Sequence, residues 1–264
     1  MKSTGSSTFV TLVPLATLTS ALVALAGPEL REEFHQTYPL DKQAKVQLEN
    51  VNGNVRIVTW DREQIQVDAV KHAKKQEHLD EVKIEVDAKA DRIRIKTKYP
   101  DSKTRRNKDN STSVDYTVTA PKQCRLDKVS TVNGEIEIEN VVGDVSASSV
   151  NGPVTATGLA SDVDLSTVNG SVVADFRTLK KAVSLKSVNG GVTVGLPPDA
   201  NAVVSAHTLN GGIDNEFSLQ VKKHFPFGQN LDSKLGAGGP EIELSTVNGA
   251  IHVTRSKAVA LESR

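Results

Sequence analysis

The chain has 264 residues, and its 32 basic and 32 acidic side chains leave a formal net charge of zero. That balance excludes a protein built to hold nucleic acid by charge, and aromatic residues at 4% exclude base-stacking platforms as a general theme. The length suits one large domain, two small ones, or a repeat array, which needs no single globular core.

Residues 1–26 are predicted to be a secretory signal peptide: Lys2 supplies a weak positive start, residues 9–25 carry no charge, and Ala24-Leu25-Ala26 offers small residues at the cleavage positions. Pro14, the many Ser and Thr, and Gly27-Pro28 directly after the run favour cleavage over a membrane anchor. No later stretch is apolar enough to span a bilayer. The sole cysteine, Cys124, forms no internal disulfide, and none stands near the cleavage site to accept a lipid. The expected localisation is exported: periplasmic, cell-surface or secreted.

Residues 27–125 read as an N-terminal β-rich part leading into the repeats. Period-two alternation runs through Val46 and Leu48, Val55 and Ile57, Ile65 and Val67, Val82, Ile84 and Val86, then Ile93 and Ile95. Residues 71–81 break the alternation and suit a short helix or a polar connection. Residues 101–113 read as an exposed polar loop whose Lys103, Arg105, Arg106 and Lys108 form a basic cluster, best explained as solvated. Val114, Tyr116 and Val118 restart the alternation before Pro121 closes the strand.

One tripeptide then punctuates the chain: Val132-Asn133-Gly134, Val150-Asn151-Gly152, Val168-Asn169-Gly170, Val188-Asn189-Gly190, Leu209-Asn210-Gly211 and Val247-Asn248-Gly249, with an outlying copy at Val51-Asn52-Gly53. Successive steps of 18, 18, 20 and 21 residues from position 132 to 209 define a structural repeat over 126–254. The last step, 38 residues, hides an unmarked repeat or an insertion at about 214–240. Residues 255–264 form a tail.

Each repeat carries alternating residues on both sides of its Asn-Gly pair, so two short strands per repeat are expected. In an antiparallel meander the pair would be a type I′ hairpin turn. In a parallel β-helix, or β-solenoid, it would be one corner of every coil. The solenoid is favoured because the Asn-Gly corner is nearly invariant whereas the other varies, from Val142-Gly143-Asp144 to Thr157-Gly158-Leu159 to Thr178-Leu179-Lys180. The predicted fold is therefore all-β: a parallel solenoid with about 18–21 residues per coil, right-handed by precedent. Coils about 4.8 Å apart allow Asn133, Asn151, Asn169, Asn189, Asn210 and Asn248 to bond amide to amide in a buried structural ladder. The adjacent glycine lets the backbone turn without a Cβ.

Phe217, Phe225 and Phe227 cluster with Lys222, Lys223 and His224 in the insertion, followed by Gly236-Ala237-Gly238-Gly239. They mark either an interaction loop or, the reading preferred, a cover over an edge or open face of the stack. The histidines are dispersed, His72 and His78 read as solvated, and no HExxH, CxxC, Walker or GxSxG string occurs, so no catalytic residue, metal ligand or cofactor site is assigned. Asp162 and Asp164, Glu135, Glu137 and Glu139, and Glu241 and Glu243 alternate with apolar residues and are explained as solvated outer faces.

The segments Phe34-His35-Gln36-Thr37-Tyr38-Pro39-Leu40 and Val51-Asn52-Gly53-Asn54-Val55-Arg56-Ile57-Val58-Thr59-Trp60-Asp61, the serial S-T-V-N-G strings, and the closing Gly238-Gly239-Pro240-Glu241-Ile242-Glu243-Leu244-Ser245-Thr246-Val247-Asn248-Gly249 together resemble the bacterial "putative adhesin" domain family. The resemblance covers about 34–253 and implies an exported, non-enzymatic β-helix of unassigned function, with no binding residues to carry over. The leading expectation is a non-catalytic envelope or surface protein that contacts polysaccharide, protein or other envelope components. A β-helix polysaccharide lyase or hydrolase and a periplasmic scaffold or sensor subunit are the alternatives.

Overall fold

In the computed structural model, residues 30–100, 112–223 and 228–256 are described. The signal segment, the basic cluster at 103–108, His224, Phe225, Phe227 and residues 257–264 lie outside them.

The chain opens with β1 (Leu30–Pro39), β2 (Lys45–Glu49), β3 (Val55–Trp60), β4 (Gln64–Ala73), helix α1 (Gln76–Glu81), β5 (Lys83–Lys89), β6 (Arg92–Lys98) and β7 (Ser113–Pro121). Next come β8 (Arg125–Asn133), β9 (Ile136–Glu139), β10 (Val145–Asn151), β11 (Val154–Leu159), β12 (Val163–Asn169), β13 (Val172–Phe176), β14 (Val183–Asn189) and β15 (Val192–Leu196). It ends with β16 (Ala202–Asn210), β17 (Ile213–Asn215), β18 (Lys222–Lys223), β19 (Gln229–Leu235), β20 (Glu241–Asn248) and β21 (Ile251–Arg255).

Two long sheets result. One holds ten strands in the order β1-β4-β7-β3-β9-β11-β13-β15-β21-β17, the other eleven in the order β18-β19-β16-β20-β14-β12-β10-β8-β2-β6-β5. The chain passes from the second sheet to the first at every Asn-Gly pair, and pairing between successive repeats is parallel. The meander is thereby excluded, and the architecture is solenoid-like.

Period two decides which side chains enter the space between the sheets. Val163, Leu165 and Thr167 of β12 are buried while Asp164 points out, and the same alternation recurs in β10, β14 and β20. Register then stacks like on like: Val145, Val163, Val183 and Ile242 form one column, and Ala147, Leu165, Leu185 and Leu244 another. Burying one such Val or Leu contributes roughly 1.5–3 kcal/mol. β8 carries an extra residue, because the register slips between Val145 and Ala147 of β10 so that both Leu126 and Val129 face inward.

The N-terminal strands belong to the stack. β2 and β3 pair in parallel with β8 and β9, and β6 and β7 pair in parallel with the far sides of β2 and β3. Beyond them β4 and β1 in one sheet and β5 in the other add antiparallel strands that close this end. Residues 71–81 divide differently from expectation: β4 runs through Ala73, and only 76–81 are helical.

The opposite end departs from chain order. β20 lies between β14 and β16, and β21 between β15 and β17, so the last repeat sits inside the stack. The 38-residue step is therefore a detour through β17, β18 and β19, and β19 runs antiparallel along the outer edge of β16. Phe217, Leu219 and Val221 pack half-buried against the end of the core.

Candidate functional site

The two long edges of the stack, where the chain turns from sheet to sheet, differ in chemistry. On the Asn-Gly edge three rows run side by side. In the outer row, each amide donates Nδ2–H to the Oδ1 of its neighbour: Asn133 to Asn52 at 2.7 Å, Asn151 to Asn133 and Asn169 to Asn151 at 2.8 Å, Asn189 to Asn169 at 2.9 Å, Asn248 to Asn189 at 2.8 Å and Asn210 to Asn248 at 2.9 Å. The order follows the strand order, with the last repeat between the fourth and fifth. Asn52, left out of the predicted set, begins the row.

This row is exposed, where a buried ladder was expected. The corner bends between the last inward residue and the asparagine, so Val and Asn both face outward. The inward position belongs to the residue before the valine. Ser149 donates its hydroxyl to the Gly134 carbonyl at 3.0 Å, Thr167 to Gly152, Ser187 to Gly170 and Thr208 to Gly249 at 2.9 Å, and Thr246 to Gly190 at 2.8 Å. These hydroxyl residues are buried and the glycines that accept from them half-buried, so the row satisfies backbone carbonyls on the inner side of the corner. In the β2/β3 layer Asn50 replaces the hydroxyl and donates to the Val114 carbonyl at 2.8 Å, while Thr97 Oγ1 donates to its Oδ1 at 2.9 Å. The S-T-V-N-G strings contained this signal, but period two by itself does not tell which of two adjacent polar residues turns in at a corner.

Glycine is dictated by stacking. A Cβ on Gly134, Gly152, Gly170, Gly190, Gly249 or Gly211 would stand 1.9–2.4 Å from the carbonyl oxygen of the neighbouring glycine. The turn itself was the expected reason; the closer constraint is the next layer.

The third row is apolar. Val132, Val150, Val168, Val188, Val247 and Leu209 are 38–47% exposed and supply most of the large exposed hydrophobic side chains among the described residues. Beside them Ser130, Ser148, Ser166 and Ser245 face outward, with Lys186 and His207 at the equivalent positions. The edge thus offers valine methyls and carboxamides at a repeat of about 4.8 Å. Each ladder amide between the two end members uses one N–H and one acceptor site, leaving a second of each for an outside ligand.

The opposite edge is charged and irregular. A recess of about 400 Å³ is lined by Gln43, Gln123, Arg125, Asp144, Ser161 and Lys181. Asp144 accepts from Ser161 Oγ at 2.6 Å and Lys181 Nζ at 3.1 Å, and Arg125 Nε lies 3.3 Å away. The Ser161 hydrogen bond first, and then Lys181 and Arg125, hold this carboxyl below its usual range. A smaller recess of about 80 Å³ beside Trp60, Arg62 and Lys122 has the Arg62 guanidinium 5.1 Å from the Trp60 ring centre.

The carboxylates singled out in the sequence lie on strand faces or, for Glu135 and Asp162, just before a strand, rather than together in a cleft. Arg56 bridges Glu137 at 2.9 Å and Glu139 at 2.6 Å, and Lys186 pairs with Glu243 at 2.9 Å. Asp162 and Asp164 are exposed. His78, expected in solvent, is buried in α1. No group of three His, Cys, Asp or Glu that could hold a metal occurs among the described residues. Cys124 is buried, and burial pushes its thiol up to about 12. Phe217 lies with its ring centre 5.8 Å from the Arg255 guanidinium.

Two parallel sheets joined by one invariant corner and closed by antiparallel strands define a capped, solenoid-like β-domain. The family model Toastrack DUF4097 matches residues 110–254, and the chain belongs to that family. Among solved structures, one described as a putative cell adhesion protein from Clostridium sporogenes is 15% identical, with a TM-score of 0.50 over 85% of this chain and 100% of that one, and shows a shared fold. A putative adhesin from Bacteroides fragilis, 14% identical, aligns over 85% of this chain and 97% of its own with a TM-score of 0.43. A putative lipid binding protein from Parabacteroides distasonis, 12% identical, aligns over 84% and 97% with a TM-score of 0.33. No curated protein matches the chain. No helix among the described residues is long and apolar enough to cross a membrane.

Proposed function

We propose that the protein is an exported, non-catalytic contact protein of the cell envelope or surface, and that its Asn-Gly edge binds extended polysaccharide. The observation that carries this reading is the uncharged row of exposed Val and Leu beside an exposed row of Asn along the whole edge. Pyranose rings present C–H faces that pack on methyl groups and hydroxyls that pair with carboxamides, and a linear polymer meets the same two groups at every layer. The stack would have coils of about 18–21 residues, as the spacing of the tripeptides implies, and would wind right-handed, as crossovers between parallel strands generally do. Export rests on the features of residues 1–26, and the names of the structures of similar fold accord with a surface role.

The test is retention of the purified mature protein on a panel of insoluble cell-wall and host polysaccharides and matrix proteins, with soluble products assayed in parallel. Retention on polysaccharide without product release is expected. Absence of retention on every polysaccharide overturns the contact reading, and product release overturns the non-catalytic one.

A further inference from the structure

The layer formed by β20 and β21 enters a space bounded by strands that precede it in the chain. β14 and β15 border it on one side, β16 and β17 on the other, and it pairs in parallel with all four. Its insertion completes both sheets, buries Ile242, Leu244, Thr246, Ile251 and Val253, and joins the amide row at Asn248 on both sides. Without this layer the preceding chain presents a slot one layer wide, edged by unpaired strands, which is the geometry that accepts an added strand.

The layer is joined to β19 through residues 236–240. β19 and β20 flank β16, with Leu235 opposite Ala202 and Glu241 opposite Val203, so the link crosses two strand spacings, about 9.6 Å. It does so in a compact form: Gly236 and Gly238 hold φ at 58° and 80°, and the Gly238 N–H donates to the Leu235 carbonyl at 3.1 Å. Extended, the same link reaches roughly 15–20 Å, enough to carry the layer out of its own slot.

We propose that this slot accepts the β20–β21 layer of a second copy of the chain, so that two copies exchange their last layers reciprocally. The second copy is the favoured occupant because its layer is identical: every contact of the slot is remade, and the exchanged and unexchanged forms differ only in the link. The inference is independent of the polysaccharide reading.

Lys186 and Ser245 are register partners across β14 and β20 and lie on the outer face, which makes them suitable for cross-linking. Full-length Lys186→Cys and Ser245→Cys copies are unfolded together under reducing conditions, refolded at high protein concentration, then oxidised mildly. Disulfide-linked dimers are expected after co-refolding and not after mixing the two copies already folded. Absence of linked dimers, while the Lys186→Cys/Ser245→Cys chain links internally, overturns the proposal. Light scattering on the refolded wild-type chain and on Gly238→Pro, whose proline opposes the compact link, provides a readout without introduced cysteines. Dimer content should rise with refolding concentration and be higher in the variant; only monomer in both at every concentration overturns the exchange.

Discussion

Thr167 and Asn169 stand two residues apart in one strand and do different work. The Thr167 hydroxyl meets a carbonyl in the buried corner, whereas the Asn169 amide bonds its neighbours where water competes. Thr167→Val is expected to cost about 1–3 kcal/mol and Asn169→Ala about 0.5–1 kcal/mol, read as urea midpoints at unchanged slope. Equal midpoints for the two variants would contradict this division of labour. Gly170→Ala places a Cβ 2.4 Å from the Gly152 carbonyl oxygen and should cost about 3 kcal/mol, forcing neighbouring layers apart. Asp144 supplies a pH test. Its folded pKa is lowered, so its stabilising effect is present above the unfolded carboxyl value and is lost as pH falls through the folded one. The stability gap between wild type and Asp144→Asn, measured at neutral pH, should shrink progressively as pH falls below the ordinary carboxyl value of about 3.9; a gap unchanged by acid would show that Asp144 acts through contacts other than its charge. The amide row was legible because its residues repeat, but its exposure was not, since that depends on how sharply the corner bends after Thr167.

At the scale of elements, alternation was enough to find strands, because a half-buried strand writes its two faces into sequence. Val46 and Leu48, or Ile93 and Ile95, needed no tertiary information. Three features escaped. The extra residue in β8 is one polar position, within Asp127-Lys128, that alternation absorbs unnoticed. β19 alternates in burial, with Leu231 and Leu235 buried and Asp232 and Lys234 exposed, but polar Ser233 stands at the inward position between the leucines and hides the pattern in the sequence. The order of layers escaped because Val163, Val183 and Ile242 make each layer fit above any other, leaving order to the links. Hydrogen exchange should reflect the resulting stack: amides of β12 and β14, paired on both sides, should exchange far more slowly than those of β18, paired with β19 alone. Comparable exchange in β12 and β18 would contradict the pairing described.

For the whole molecule, antiparallel strands close both sheets at the β1/β5 end and the β16 edge at the other, while the Asn-Gly edge is lined by exposed Val, Leu and Asn. Unpaired strands invite association, and these antiparallel strands cover the edges of β7, β6 and β16. The Asn-Gly edge is different, since its valines stand outside the core with 38–40% of their surface exposed, where a solvated corner alone does not call for an apolar residue. That contrast is the basis for placing contact there rather than at the opposite edge, whose Arg125 and Lys181 already converge on Asp144. The most direct measurement compares wild type with a Val150→Lys/Val168→Lys/Val188→Lys variant in retention on the polysaccharide panel. The side chains are exposed, so circular dichroism and the urea midpoint should change little. The account predicts that the variant loses retention while keeping its fold; retention equal to wild type by a folded variant would contradict it.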